Sequence, residues 1–376
     1  MQLPIEVAEV IFFTSLPENV AILKTYGINA EQLCNSFLVR AKDGIRRKLL
    51  GRRTLKLLPW MMRYSSFETQ LVRRDVDLVY FLSPSGLPSR LDRLNFIITV
   101  WDLCHLDEPE FPEVRWNHEQ EIREIMYGSG MTRALAIFVD SPFGKRNIAS
   151  RYRIDERRIH VMPFQAANGV RHPRELDPLD SLRIRERYQL DVPYVFYPAQ
   201  FWAHKNHVYL LEGLHALERL YGIRVGAIFS GADKGNRSHV EKCAHKLGLH
   251  HRVRYAGFVS NDEILALYRQ SVALVMPTYF GPTNLPPLEA FHLGVPVLYP
   301  DRAGLRDQVG DAALLMDLQD PISMAVHMRD LIEDLQLRDR LVKAGYERLK
   351  DLEGFDRMAV LLEVIEEFRW KRSCWG

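Results

Sequence analysis

The sequence predicts an α/β protein made of two open, mostly parallel sheets facing a central cleft, on three observations. Short apolar strands alternate with helical segments almost end to end, the pattern of strand–helix–strand units. A polar, charge-rich stretch, His172–Leu190, breaks that alternation near the middle, after which it restarts. The chain has 376 residues, more than one ordinary core organises. Open α/β sheets bind ligands at the C-terminal ends of their strands, so the cleft is the expected site.

In order, the first half offers strands at Glu9–Thr14, Leu78–Leu82, Phe96–Trp101, Ala136–Asp140 and His160–Pro163. The second half offers Tyr194–Pro198, Arg224–Ser230, Arg252–Tyr255, Ala273–Thr278 and Val295–Tyr299. Helices fall between them, as at Val208–Tyr221, Ser238–Leu247 and Asp262–Gln270. Apolar residues at helical spacing run through Pro321–Trp370. The expected division is a first domain over 1–171, a linker over 172–190 and a second domain over 191–354. A C-terminal helix over 355–376 is expected to cross back to the first domain.

Composition narrows the function. Lys and Arg total 50 against 48 Asp and Glu, a net charge of +2, so no global nucleic-acid field exists and no nucleic-acid partner is expected. Cys34, Cys104, Cys243 and Cys374 are scattered without a C-x-x-C pair, which argues against a zinc ribbon or a disulfide framework and fits a reducing cytoplasm. No signal-peptide pattern and no apolar run near membrane-spanning length is present, so the expectation is a cytoplasmic protein.

The most informative segment is Pro277–Val297, PTYFGPTNLPPLEAFHLGVPV. An apolar run stops at Gly281-Pro282-Thr283-Asn284, and Leu285-Pro286-Pro287-Leu288-Glu289 begins a helix. Pro suits the first helical turn, where N–H groups lack partners. That end attracts anions, and an acid one turn inside can accept hydrogen bonds from ribose hydroxyls. The segment therefore reads either as a nucleotide-diphosphate corner or as a plain strand–turn–helix connection.

Further segments appear in order around it. Tyr197-Pro198-Ala199-Gln200-Phe201-Trp202-Ala203-His204-Lys205-Asn206 is a strand and loop carrying a Lys; Phe229-Ser230-Gly231-Ala232 and Arg254-Tyr255-Ala256-Gly257-Phe258-Val259 follow. Ala303–Ala312 comes after the opening segment, and Trp101-Asp102-Leu103-Cys104-His105 with Pro109–Val114 stands in the first half. Together these resemble the retaining glycosyltransferases of family 4, of GT-B architecture: two Rossmann-like domains around a cleft. The resemblance runs from about Leu78 to the C-terminus, and within the family it is nearest to bacterial O-antigen and capsule mannosyl- or rhamnosyltransferases.

The resemblance implies a donor site for a nucleotide-diphosphate sugar, with a GDP-sugar favoured over a dTDP- or UDP-sugar. Its residues would be Gln200, Lys205, Gly231, Phe258, Val259, Thr283, Asn284, Leu285 and Glu289. Lys205 would face the diphosphate, Glu289 the ribose, and the backbone of Phe258 and Val259 the nucleobase. His105 and Asp102 would enter the cleft beside them, His105 orienting donor sugar or acceptor. Such enzymes use no protein nucleophile, so no catalytic base is expected. Neither cofactor nor metal is expected: His204 with His207, and His105 with Asp107 and Glu108, match no ligand signature. The implied reaction moves a hexose, mannose or rhamnose, to a growing, polyprenyl-linked surface glycan. A non-catalytic nucleotide-sugar- or glycan-binding relative, or one module of a longer polysaccharide-synthesising protein, is the alternative.

Three departures qualify it. The family's E-x7-E signature would place its first Glu, a sugar contact, at Gly281; only Glu289 remains. Gln200 stands where an Arg is frequent. Nothing Gly-rich precedes the first strand, so either the leading βα unit is absent from this chain or residues 1–8 replace it. Separately, 40–63 carries nine basic residues and one acid, Asp43, interleaved with Leu49, Leu50, Leu55, Leu57, Leu58 and Trp60. It reads as an anionic-membrane contact at the inner face of the plasma membrane, or as an ordinary amphipathic helix.

Overall fold

The computed structural model describes residues 9–33, 65–166, 168–171, 184, 186–281 and 283–375. The basic segment 40–63, Cys34, residues 1–8 and most of the expected linker lie outside the described residues.

Twelve strands are described, and every pairing between them is parallel. β1 (Phe12–Thr14) and β2 (Ala30–Gln32) form a two-stranded sheet. β3 (Leu78–Phe81), β4 (Asn95–Val100), β5 (Ala136–Val139) and β6 (Ile159–Val161) form a second sheet in that order. The third contains β7 (Tyr194–Pro198), β8 (Gly226–Ser230), β9 (Val253–Gly257), β10 (Leu274–Val275), β11 (Val297–Pro300) and β12 (Ala313–Met316). Its order is β12-β11-β10-β7-β8-β9. The chain runs outward from β7 to one edge, returns to β10 beside β7, and runs to the other edge. The connections therefore diverge above β7 and β10, opening a crevice at their C-terminal ends.

Burial explains the strand sequences. β5, β7 and β8 are apolar along nearly their whole length because helices cover both faces of the sheet, so no alternation is required. Two strands differ from the sequence expectation. Ala30-Glu31-Gln32 and Ala313-Leu314-Leu315-Met316 contain good helix formers and no β-branched residue, and only pairing with β1 and β11 makes them extended. Expected strand Ala273–Thr278 keeps only Leu274–Val275 in the ladder, because the chain then turns into the loop before the helix Leu285–His292.

The C-terminal tail divides into helices Pro321–Glu333, Leu335–Glu353 and Arg357–Arg372. Asp320, Asp334 and Asp356 cap them, accepting from the N–H groups of Ile322, Leu337 and Ala359. The last helix buries Leu361 and Val364 against Ile97, Ala136 and Phe138 of the β3–β6 sheet, so the chain end returns to the first half of the molecule. Leu361→Ala should cost about 3 kcal/mol through the cavity it leaves. A urea melt reads this as a lower midpoint, and an unchanged midpoint would contradict that packing.

Candidate functional site: a cleft above the strand crossover

Loops leaving β7, β8, β9 and β10 build one wall of the cleft. After β7 the chain makes a tight turn, Ala203–Lys205, and Asn206 adopts φ 52° to start the helix His207–Tyr221. Tyr197, rooted in β7, donates its hydroxyl to the Lys205 carbonyl at 2.9 Å and fixes the turn from below. Lys205 is half-buried. Its Nζ donates to Asn284 Oδ1 at 3.2 Å and reaches Thr278 Oγ1 at 3.5 Å, both neutral partners. Burial pushes its pKa down to about 8, while Asp102, Cys104 and Glu113 act in the opposite direction.

Asn284 organises the loop that Lys205 touches. Its Nδ2 donates to the Gly281 carbonyl at 2.8 Å and to Tyr299 Oη at 2.6 Å. Gln308 accepts from the Asn284 N–H at 3.0 Å and donates to its carbonyl at 2.6 Å. The side-chain amide of Asn284 is therefore engaged in shaping the loop. Gly281 sits at φ 101°, and a Cβ there would come within 3.2 Å of Asn284 Oδ1. A side chain at 281 would be strained by this φ and would crowd Asn284, so glycine suits the loop as built.

The helix behind the loop is Leu285–His292. Pro286 and Pro287 have no N–H, so only Leu285 and Leu288 of its first four residues can donate. The dipole is present but direct donors are few, which leaves Lys205 as the dominant positive element. Glu289 is partly buried and accepts from Tyr268 Oη at 2.9 Å; burial raises its pKa, which that bond counteracts. Gly231, at φ 149°, passes so close to Ala199 that a Cβ would lie 2.4 Å from the Ala199 carbonyl oxygen. Its N–H donates to the Gly257 carbonyl at 2.8 Å, tying the β8 and β9 loops together next to Gln200. Gln200 accepts from Trp202 Nε1 at 2.9 Å. Phe258 is 97% exposed on the same rim, and Val259 packs partly into the core.

The opposite wall comes from the β4 and β5 loops. A cavity of about 200 Å³ between the walls is lined by Trp101, Asp102, Val139, Gly144, Gly281 and Arg302, among others. Asp102 faces it, accepting from the Cys104 N–H at 3.0 Å and from Arg123 at 3.3 Å. Asp140 crosses the cleft: Thr283 donates its hydroxyl to Asp140 Oδ2, and Ser141 donates to Oδ1 at 3.0 Å. Burial pushes the Asp140 pKa up to about 6, against the lowering effect of those two bonds. Glu113 takes the backbone N–H of His204 at 2.9 Å, and Glu108 pairs with Arg302.

His105 departs from its expected place. Its ring is fully buried inside the first domain, bonded to Glu124 at 2.9 Å and packed beside Tyr127, 5.6 Å between centroids. The short helix Cys104–Asp107 turns that side chain inward, so His105 does not enter the cleft. The two His-containing groups also separate. His204 turns to Glu113, whereas His207 stacks on Phe201, centroids 4.5 Å apart. Asp107 pairs with Arg151 and Glu108 with Arg302. Among the described residues no group of three metal-ligating side chains occurs, and no helix is long and apolar enough to cross a membrane.

This geometry, a lysine and a strand–loop–helix corner at the crossover of a doubly wound sheet, agrees with what the chain is similar to. Residues 180–348 match the family model of glycosyl transferases group 1. That match spans a little under half of the chain. The O-antigen chain mannosyltransferase B of Escherichia coli is 25% identical over 304 residues, covering 80% of this chain and 77% of that protein. The lipopolysaccharide core biosynthesis glycosyltransferase LpsE of Rhizobium meliloti is 29% identical over 163 residues, 42% of this chain and 45% of the relative. Among solved structures, HepE from Anabaena in complex with UDP superposes with a TM-score of 0.67 at 14% identity, covering 97% of this chain and 92% of that one. A glycosyltransferase from Rickettsia africae does so at 0.66 and 16%, covering 95% and 89%. The fold is GT-B.

In this glycosyltransferase fold the cleft gathers Lys205, Asn284, Thr283 and Asp102, and it leaves His105 outside. Sequence reasoning missed Thr278, Gln308, Asp140 and Glu113. Thr278, Gln308 and Glu113 each carried a signal, lying within the Pro277–Val297, Ala303–Ala312 and Pro109–Val114 segments, whereas Asp140 stood only at the end of an expected strand. The Lys205 pKa gives a pH dependence. Above pH about 8 the unliganded amine is neutral, and an arriving diphosphate must draw in a proton to be paired. Nucleoside diphosphate affinity should therefore be level between pH 7 and 8 and fall by up to about tenfold per pH unit above that. Calorimetry across this range tests it, and Lys205→Met should abolish the alkaline fall.

Proposed function

We propose that this chain is a retaining, metal-independent hexosyltransferase that takes its sugar from a nucleotide-diphosphate donor. The observation that carries this reading is the Lys205 ammonium, half-buried at the β7–β10 crossover with neutral hydrogen-bond partners. A diphosphate leaving group needs a fixed positive charge where its own negative charge develops. Lys205 supplies it, the helix beginning at Leu285 adds its dipole, and Glu289 accepts the ribose hydroxyls one turn further in.

The donor sugar is a hexose, with mannose from a GDP-sugar as the leading candidate and rhamnose next. The O-antigen mannosyltransferase relative supports mannose, and the UDP complex of HepE supports a nucleotide donor. The acceptor is a growing surface glycan on a lipid carrier, reached at the inner membrane face. Asp102 lines the cavity from the first domain, and in this reading it receives a sugar or acceptor hydroxyl. No protein base is assigned; the acceptor attacks on the leaving-group face and a donor phosphate oxygen takes its proton.

Transfer assays with GDP-, UDP- and dTDP-hexoses test this. Lys205→Ala and Glu289→Ala should each lower kcat/KM at least about 100-fold, comparable to removal of a transition-state charge contact. Chelator should leave the wild-type rate unchanged. Wild-type-like rates in both variants would sink the site assignment, and no turnover with any donor would favour a binding-only relative.

A further inference from the structure

Glu113 belongs to the short helix Pro112–Arg115 on the first domain, yet its carboxylate is committed to the second. Its Oε1 accepts the backbone N–H of His204 at 2.9 Å and also bonds His204 Nδ1. The two side chains are 8% and 9% exposed. Burial alone would push the carboxyl pKa up, but the bonds from His204 overcome this and hold it below the usual range. Such a buried ion is retained only because both N–H groups point at it.

His204 is the residue immediately before Lys205, and it anchors more than the turn. Its carbonyl accepts the Tyr279 N–H at 2.9 Å. Its ring stacks on Phe280, centroids 3.8 Å apart at 15°. Phe111, two residues before Glu113, closes the packing against Tyr279 at 5.2 Å and Phe280 at 5.6 Å. One carboxylate from the opposite domain thus grips the imidazole that links the Lys205 turn to the loop leading into Gly281.

We propose that Glu113 is a positioning residue for diphosphate binding, holding the His204 turn so that Lys205 and the 279–281 loop stay aligned. This rests on the donor-site reading of Lys205. Because the grip comes from the other domain, a first-domain carboxylate sets the affinity of the second domain's lysine for a diphosphate.

The test uses Glu113→Ala and Glu113→Gln in the full chain. UDP and GDP binding are measured by calorimetry, and the acetylation rate of Lys205 without nucleotide is read by mass spectrometry. Glu113→Ala should bind about tenfold more weakly, the loss expected for a charge-assisted hydrogen bond. Its Lys205 should acetylate several-fold faster than in the wild type. Glu113→Gln keeps an amide oxygen that accepts both N–H groups, and should stay within about threefold of the wild type. An Ala variant with wild-type affinity and acetylation rate would overturn the proposal, as would equal losses in Ala and Gln. Should the wild type bind neither nucleotide, the donor-site reading fails, and the acetylation rates alone decide whether Glu113 positions Lys205.

Discussion

Withdrawing the Lys205 ammonium from water costs the folded chain free energy that its two neutral hydrogen-bond partners, Thr278 and Asn284, return only in part. The depressed pKa is the sign of that imbalance, because the charged form is disfavoured where it stands. Much of the cleft follows from holding this group in place. Tyr197 fixes its carbonyl from β7, and Asn284 is locked by Gly281, Tyr299 and Gln308 so that its oxygen faces the amine. A preorganised, under-compensated cation is what an anionic leaving group binds best, since little reorganisation remains.

The two walls of the cleft are not independent. Glu113 reaches His204, Asp140 reaches Thr283 and Glu108 reaches Arg302, each a polar group of the first half bonded to a loop of the second. The helix Arg357–Arg372 reinforces this from outside by packing on the first sheet. Asp140 differs from the other two acceptors in its partners, which are hydroxyls rather than a cation or an imidazole, and burial raises its pKa against the effect of those bonds.

Gly281 illustrates how a lost side chain fits a local geometry. Its φ of 101° and the Asn284 amide 3.2 Å from a hypothetical Cβ make a Glu there strained and crowded. The loop is a compact hydrogen-bonded turn that aims Asn284 at Lys205. Glu289, one helical turn beyond, does not depend on that turn and keeps its bond to Tyr268.

The sequence by itself determined the alternating α/β order and the GT-B resemblance, though not the separate two-stranded sheet of β1 and β2, because buried parallel strands must be apolar runs and their loops must carry Gly, Pro and Asn at the turns. It also located Lys205 and Asn284 in the turns that follow strands and Glu289 in the helix Leu285–His292, since these lie close to strand ends in the chain. Only the tertiary structure decided the rest. β2 and β12 are extended through pairing, against their own propensity. His105, four residues past Trp101, turns into the first domain rather than the cleft, because one helical turn rotates it toward Glu124 and Tyr127. Glu113 and Asp140 meet residues 91 and 143 positions away, and no local pattern encodes a contact made only when two separately folded walls close on each other.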